Sequence, residues 1–397
     1  GNAMVVKRGL LFAVVTAASL VLTSVAPMAG ATREAQPSPL RAANLLRVKD
    51  IGSNGLMKQG IVAVGYQETS KPGQLYVTWS VDGGEDYRRS SGKLRRYRVV
   101  GDPRLGMSLD ACAKRVWIGT AWGNPNDRRG DSDVVLTTRT VDGGAAQKLL
   151  TKSARNHKVR DVAVSCVSGK LVAIAWLQKS GPKARVKLLL RSVEGLGDKA
   201  AYRKSFDLGT ADYQSGLALA ATPDQVSVAF VRDGDLYLHR RGIEANRAGS
   251  ASQKRIVWKD VRYPQLAAHR NRLAVVYSDA GKVKAKLSED AGASVGKPQV
   301  LAWAGNNRNP SKPHSVDVIG KRVVSTASVY KDGKTRAQRF SSSDFGQNWR
   351  TSTFGNVGAR MASLLKIKGQ PSLLMEAWHN NAPKGISDTL RARYEVK

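Results

Sequence analysis

The sequence predicts an all-β chain folded as a β-propeller of four-stranded blades, on three observations. First, short runs of β-branched and apolar residues recur at 61–66, 116–122, 171–176, 226–230, 273–277, 323–330 and 372–378, each reaching an aromatic or ending beside one. Second, their first residues lie 55, 55, 55, 47, 50 and 49 apart, and a period of about 50 residues built from short strands is the signature of a propeller or a similar array. Third, beyond the N-terminal region almost no segment keeps the apolar 3.6-residue period of a helix.

In chain order, Gly1-Asn2-Ala3-Met4 reads as an expression scar ahead of a native start. Lys7 and Arg8 form a basic region, 9–25 is an almost unbroken apolar run, and Ala29-Gly30-Ala31 supplies the small-x-small pattern of a signal peptidase site. Residues 1–31 are therefore expected to be the scar plus a cleaved secretory signal. Residues 32–42 are polar and contain prolines, the composition of a flexible leader. No linker or low-complexity break follows, so 43–397 is expected to form a single propeller domain. No later apolar stretch has the length to cross a membrane. The expected location is secreted and extracellular.

Each repeat extends beyond its central run. An apolar stretch precedes it, as at 161–166 and 264–268, and a third strand follows at 74–80, 133–140, 186–192, 236–240, 283–288 and 335–340. A less regular fourth strand closes most units, which gives the four-stranded blade of a propeller. The count favours seven blades, with six as the alternative. The last unit ends at 389–397 with no residues left for a fourth strand, and 44–49 is a spare strand near the N-terminus. Pairing the two would close the ring and remove exposed sheet edges.

The turns between third and fourth strands repeat as well. Ser341-Ser342-Ser343-Asp344-Phe345-Gly346-Gln347-Asn348-Trp349 joins two strand-like runs, with Asp to bond turn backbone and Gly to take a positive φ. Ser80-Val81-Asp82-Gly83-Gly84-Glu85-Asp86-Tyr87 is a near match. Thr140-Val141-Asp142-Gly143-Gly144 and Ser288-Glu289-Asp290-Ala291-Gly292 keep the turn without the aromatic, and Ser192-Val193-Glu194-Gly195 is a decayed copy. The spacing Ser-x-Asp-x-Gly-x-x-Trp resembles the Asp-box, or bacterial neuraminidase repeat, of sialidase-like β-propellers, and the resemblance covers nearly the whole mature chain.

That resemblance implies a structural role for the turns, which in the family lie on the rim, and a ligand site over the central axis. The residues ahead of the innermost strands are basic: Arg104, Arg160, Arg262 and Arg360. Guanidinium groups converging there would suit a carboxylate, sulfate or phosphate, and sialidases hold a carboxylate with arginines at this location. The family's catalytic pattern is not met. The first unit has no Arg-Ile-Pro, and its following loop, 68–73, has no Asp. The second unit comes nearer, with Arg104 and an acidic loop of Asp127, Asp131 and Asp133, while Tyr263 and Tyr330 are candidate nucleophiles that no motif selects. No catalytic residue is assigned. The expected function is non-catalytic binding of an anionic glycan or other extracellular polyanion, the alternative being a divergent sialidase-like hydrolase with Arg104 and Asp131 in catalytic roles.

Charge supports a polyanionic partner. The chain has 64 Lys and Arg against 31 Asp and Glu, a formal net charge of +33, which attracts polyanions at long range. Arg88, Arg89, Lys93, Arg95, Arg96 and Arg98 crowd one stretch, and Lys282, Lys284 and Lys286 alternate along a third strand, which places them on one face. Aromatics are 6% of residues and sit mostly in strands, so specific nucleic-acid readout is not expected. The five histidines show no metal-ligand spacing, and no phosphate-cradling loop or nucleophile elbow is present. No cofactor and no metal are expected, and the chain is expected to act as a monomer. Cys112 and Cys166 each fall ten residues before the aromatic of their second strand. Equivalent positions in adjacent blades can meet, so a disulfide is expected, with two buried thiols as the alternative.

Overall fold

The computed structural model describes residues 48–50, 55–58, 61–68, 75–80, 96–99, 101, 107–123, 132–142, 147–153, 158–195, 200–306, 308–354, 358–366, 372–379 and 390–396. The predicted signal and leader, Arg104, Asp127, Asp131 and the turn after Ser80 lie outside them.

Among the described residues all the regular elements are strands, and within each sheet consecutive strands pair antiparallel, except that the first strand of the chain pairs with the third rather than the second. The first sheet holds β1 (Val48–Asp50), β2 (Gly55–Lys58), β3 (Ile61–Glu68), β4 (Leu75–Ser80) and β5 (Arg96–Val99). The second holds β6 (Met107–Cys112), β7 (Arg115–Gly123), β8 (Ser132–Thr140) and β9 (Gln147–Ser153). The third holds β10 (Val159–Cys166), β11 (Leu171–Ser180), β12 (Lys183–Ser192) and β13 (Arg203–Ala211). The fourth is β14 (Leu217–Thr222), β15 (Gln225–Arg232), β16 (Asp235–Glu244) and β17 (Arg247–Val257). The fifth is β18 (Val261–His269), β19 (Arg272–Asp279), β20 (Lys282–Ser288) and β21 (Gln299–Ala302). The sixth is β22 (Lys312–Ile319), β23 (Arg322–Lys331), β24 (Lys334–Ser342) and β25 (Arg350–Phe354). The last is β26 (Gly358–Lys366), β27 (Ser372–His379) and β28 (Leu390–Val396).

The fold is an all-β propeller. Five sheets have the four-stranded form that the repeat predicts, while those at the two chain ends have five strands and three. First strands of successive sheets pack side by side, β6 on β10, then β14, β18, β22 and β26, and β2 lies against both β26 and β6. These strands therefore surround the axis. Because consecutive strands run antiparallel, two kinds of connection emerge on one face: those from a fourth strand to the next first strand, and the hairpins between second and third strands. We term this the mouth face. The turns between third and fourth strands lie on the opposite face.

Where side chains are described, the blades are apolar on both sides and bury them against their neighbours. The recurrent aromatics of the sequence fill these seams. Trp176, Phe230 and Tyr277 occupy matching positions on β11, β15 and β19 and are fully buried. Trp176 packs with Trp117, Val134 and Leu136 of the preceding blade, and Phe230 with Val186 and Leu188. The half-buried lysines of β20 alternate with buried Val283 and Ala285 as the pattern predicts. They are partly engaged: Lys284 Nζ pairs with Asp279 at 2.7 Å, and Lys286 Nζ donates to the Ile256 carbonyl.

The expected disulfide is present, joining Cys112 at the end of β6 to Cys166 at the end of β10. Beside it, buried Asp110 accepts from the Cys166 N–H at 2.6 Å and the Ser165 hydroxyl at 3.2 Å. Two adjacent inner strands are thus cross-linked covalently and by hydrogen bonds.

The repeated turns form one hydrogen-bond pattern. Ser342 Oγ donates to Asp344 and accepts from the Gly346 N–H, and Asp344 accepts from the Asn348 backbone and side chain. Ser288, Asp290, Gly292 and Ser294 repeat the network. The Asn348 backbone N–H, followed by Ser342, holds the Asp344 carboxyl down to about 2. The decayed copy lacks the network: Ser192 Oγ donates to the Glu194 and Tyr202 carbonyls and accepts from the Tyr202 N–H. Trp349 does not simply cover its own turn. Its Nε1 donates to Gln299 of the preceding blade at 2.6 Å, and its ring packs against both blades.

One expectation is corrected. Of the strand expected at 44–49 to pair with the last blade, 44–47 lie outside the described residues, and the remainder, within β1, bonds to β3 opposite Gln67 and Glu68 in its own sheet. The cause is the brevity of β2, which covers only Ile61–Val64 of the longer β3. The nearest unpaired edge for the N-terminal segment is therefore the far half of β3, and among the described residues β28 pairs only with β27.

Two measurements test these linkages. Closing a loop of this length contributes at most about 4 kcal/mol, so Cys112→Ser with Cys166→Ser should lower the urea midpoint markedly, and reductant should do the same to the native chain. Trp349→Ala should destabilise by about 2 kcal/mol, more than Trp349→Phe, because only the alanine variant empties the seam.

Candidate active-face site at the axis

Where first strands begin, on the mouth face, the ladder breaks in the same way from blade to blade. In β10 the register shifts between Arg160 and Ala163, in β18 between Arg262 and Gln265, and in β22 between Pro313 and Ser315. Asp161 and Tyr263, at the break, have φ of 51° and 55°, and Gly216 holds the matching place ahead of β14 with φ 93°. The left-handed region costs an L-residue roughly 1–2 kcal/mol, and a tyrosine there is an outlier. The Tyr263 N–H is fixed to the Ser215 carbonyl at 2.6 Å.

A cation leads into the break in three blades, directly before it in β10 and β18 and one residue further out, ahead of Pro313, in β22. Arg160 pairs opposite Leu177, Arg262 opposite Ser278 and Lys312 opposite Ser328, and these partners are themselves matching residues of their second strands. Arg160 and Arg262, which the sequence analysis singled out ahead of the innermost strands, stand at the start of β10 and β18, and Lys312, at the start of β22, was not singled out. Its equivalence needs the pairing register, because Lys312-Pro313 is preceded by an irregular connector with no motif. Arg360 falls one position later, at the break in β26 between Ala359 and Met361. Arg104 lies outside the described residues.

Around Arg160 a cluster forms. Its Nε stands 3.8 Å from the Asp161 carboxylate, both side chains being about one-third exposed (39% and 33%). Its guanidinium and the Lys179 ammonium each lie 5.7 Å from the Tyr213 ring centroid. Lys312 sits over the Tyr263 ring at 4.9 Å. The Asp161 carboxyl is crowded by protein while facing the mouth. Burial raises its pKa, and Arg160 and then Lys312 partly offset this. Burial likewise raises Tyr213, with Arg160 opposing. Lys312 therefore acts on Asp161 from a different blade, so the two sides of the mouth are electrostatically joined. Arg262 is exposed. Tyr330 has no place in this cluster among the described contacts; its N–H bonds Ser311. Asp133 is a strand residue of β8 opposite Trp122 and Ser153.

A second feature lies at the rim, where the fourth strand of one blade faces the next. A recess of about 510 Å³ is lined by Phe206, Asp207, His239, Arg241 and Gln253. Burial resists ionisation of Asp207, but Arg185 and Lys187, each at 2.7 Å, and the Gly209 N–H hold it down to about 2. His239 takes the place that Leu189 fills in the previous blade. It is 5% exposed, its Nε2 has no hydrogen-bond partner, and burial, with Arg241, pushes its pKa down to about 4. Among the described residues no group of three or more His, Cys, Asp or Glu is placed to hold a metal.

No family model matches the chain, and no curated protein sequence matches it. Solved structures resemble its fold. A puromycin-hydrolysing peptidase of Mycobacterium tuberculosis gives a TM-score of 0.52 at 12% identity, over 92% of this chain and 55% of its own. The chain thus spans little more than half of that enzyme. The polysaccharide lyase Uly1 gives 0.50 at 10% identity, over 94% of both chains. The NanB sialidase of Streptococcus pneumoniae gives 0.42 at 10% identity, over 94% and 71%. At such identities the likeness extends to the β-propeller fold alone.

The neutral His239 yields a pH prediction. In the unfolded chain it gains a proton near pH 6.5, whereas in the fold it resists to about 4. The unfolded state binds more protons in that interval, so stability falls as pH drops from about 6.5 to 4. His239→Leu should flatten this part of the stability profile, measured by urea unfolding across pH, and leave the profile above pH 7 unchanged in shape.

Proposed function

We propose that the protein is an exported, monomeric seven-bladed propeller of the sialidase-like, Asp-box type that binds an anionic extracellular glycan or polymer at its axial mouth without cleaving it. The count takes the end sheets, β1–β5 and β26–β28, as the first and last blades. The observation that carries the binding reading is the recurrence of Arg160, Arg262 and Lys312 at one register position in three blades. Three cations carried at one register position on separate innermost strands, with Asp161 beside Arg160 resisting ionisation, would offer donors to an acidic ligand. Arg360, one position on, and Arg104 are proposed to extend the set. The net charge of +33 supplies long-range attraction, and the two Ser-x-Asp-x-Gly turn networks support the superfamily assignment.

The test is binding of polygalacturonate and heparin by calorimetry at two salt concentrations. Arg160→Ala with Arg262→Ala and Lys312→Ala should weaken affinity by about 10- to 100-fold and reduce the salt slope. Unchanged binding would remove the axial site from the reading.

One observation favours a second reading, a glycoside-cleaving enzyme. Asp161 combines a strained backbone, a raised pKa and a neighbouring tyrosine within the mouth, features that gather at functional sites. Turnover of a fluorogenic sialoside or an acidic polysaccharide, lost at least about a hundredfold in Asp161→Asn, would establish it in place of the first.

A further inference from the structure

Two large apolar side chains stand in solvent, Trp258 at 60% exposure and Trp303 at 72%. They are not scattered. Trp258 follows Val257, which pairs with Leu236, and Trp303 follows Ala302, which pairs with Val283. Leu236 and Val283 are matching residues of β16 and β20, so the two indoles occupy the same position in adjacent blades, on the connectors that cross the mouth face toward the axis. Each carries a cation on its ring at 4.9 Å, Arg255 for Trp258 and Lys282 for Trp303. The same face bears Tyr213 with Arg160 and Lys179, and Tyr263 with Lys312. Four aromatic rings with a cation against each therefore lie on one face, from the mouth outward.

We infer that these rings form a track for a chain of acidic sugars: Tyr213 and Tyr263 at the mouth, with Trp258 and Trp303 as outer stacking platforms. This rests on the axial binding reading and narrows its ligand from any polyanion to an acidic polysaccharide engaged over several residues. A pyranose presents an apolar C–H face that an indole covers, and a carboxylate or sulfate on the same sugar meets the adjoining cation. Single-stranded nucleic acid also stacks on aromatics beside cations. Here, however, carboxylates accompany the cations, Asp235 at 2.9 Å from Arg255 and Asp161 beside Arg160. These accept hydrogen bonds from sugar hydroxyls, donors that an acidic polysaccharide offers on every unit and a thymidine oligonucleotide or polyphosphate chain does not.

The experiment compares four probes on the full chain: polygalacturonate, hyaluronan, sodium polyphosphate and a thymidine 30-mer. The variants are Trp258→Ala with Trp303→Ala, the same pair changed to Phe, and Arg160→Ala with Lys312→Ala. The alanine pair should weaken binding to at least one polysaccharide by about tenfold or more, the phenylalanine pair by less than about threefold, and neither should alter polyphosphate binding. The arginine–lysine pair should weaken every bound polyanion, which reports on the axial reading separately. The track is overturned if the alanine pair binds both polysaccharides as the parent does, or if its loss is confined to the oligonucleotide. A parent chain that binds none of the four overturns the axial reading together with the track.

Discussion

Everything in this fold depends on the seam between adjacent blades. A short, strongly twisted antiparallel sheet with apolar residues on both faces has no stable solution alone. It is buried only when another copy lies on each side. The fully buried Trp176, Phe230 and Tyr277 are the repeated expression of that requirement. The turn networks serve it too, since Trp349, placed by its turn, is bound to Gln299 of the neighbouring blade. The rigid ring that results fixes where the connectors emerge, and only the connectors are free to carry chemistry.

The seam also accounts for the exceptions. Where Leu189 fills the wedge between two blades, the packing is dry, whereas His239 at the same place in the next blade lies beside an open recess. A neutral imidazole there is tolerated because the desolvation that disfavours its charge costs the neutral ring much less. At the axis the strain runs the other way. Asp161 and Tyr263 keep left-handed backbones at a break that glycine occupies in the blade between them. A residue that could be glycine and is not has its side chain directed by the distortion, and here both side chains belong to the mouth cluster.

Strand positions were legible in the sequence because their cause is local and repeated. Each of the predicted central runs is a second strand, and the Cys112–Cys166 pairing followed from matching positions in adjacent repeats. The strand positions of Arg160 and Arg262 were legible for the same reason. Lys312 was not, because its equivalence rests on pairing opposite Ser328 and no neighbouring residue marks it. The influence of Lys312 on Asp161 links residues of separate blades and has no sequence signal. The alternation of the β20 lysines placed them on one face, and there Lys284 and Lys286 are turned to a carboxylate of their own blade and a carbonyl of the preceding one. Alternation shows which residues share a face, not what that face meets. The N-terminal strand was assigned to the wrong partner because counting unpaired strands ignores how short β2 is.

That last detail bears on how the ring behaves as a mechanical object. Among the described strands, none is exchanged between the first sheet and the last; β1 stays at home with β3, and β2 merely rests on β26. Blades β6–β9 and β10–β13, by contrast, are joined by a covalent bond and by Asp110. Among the described residues the circle therefore has one joint closed by a covalent bond and one, between β2 and β26, closed by packing. Heat or pulling would part it at the second, turning a torus into an open arc whose central strands remain stacked. At that joint the described strands could separate across the axis with every one of their pairings kept.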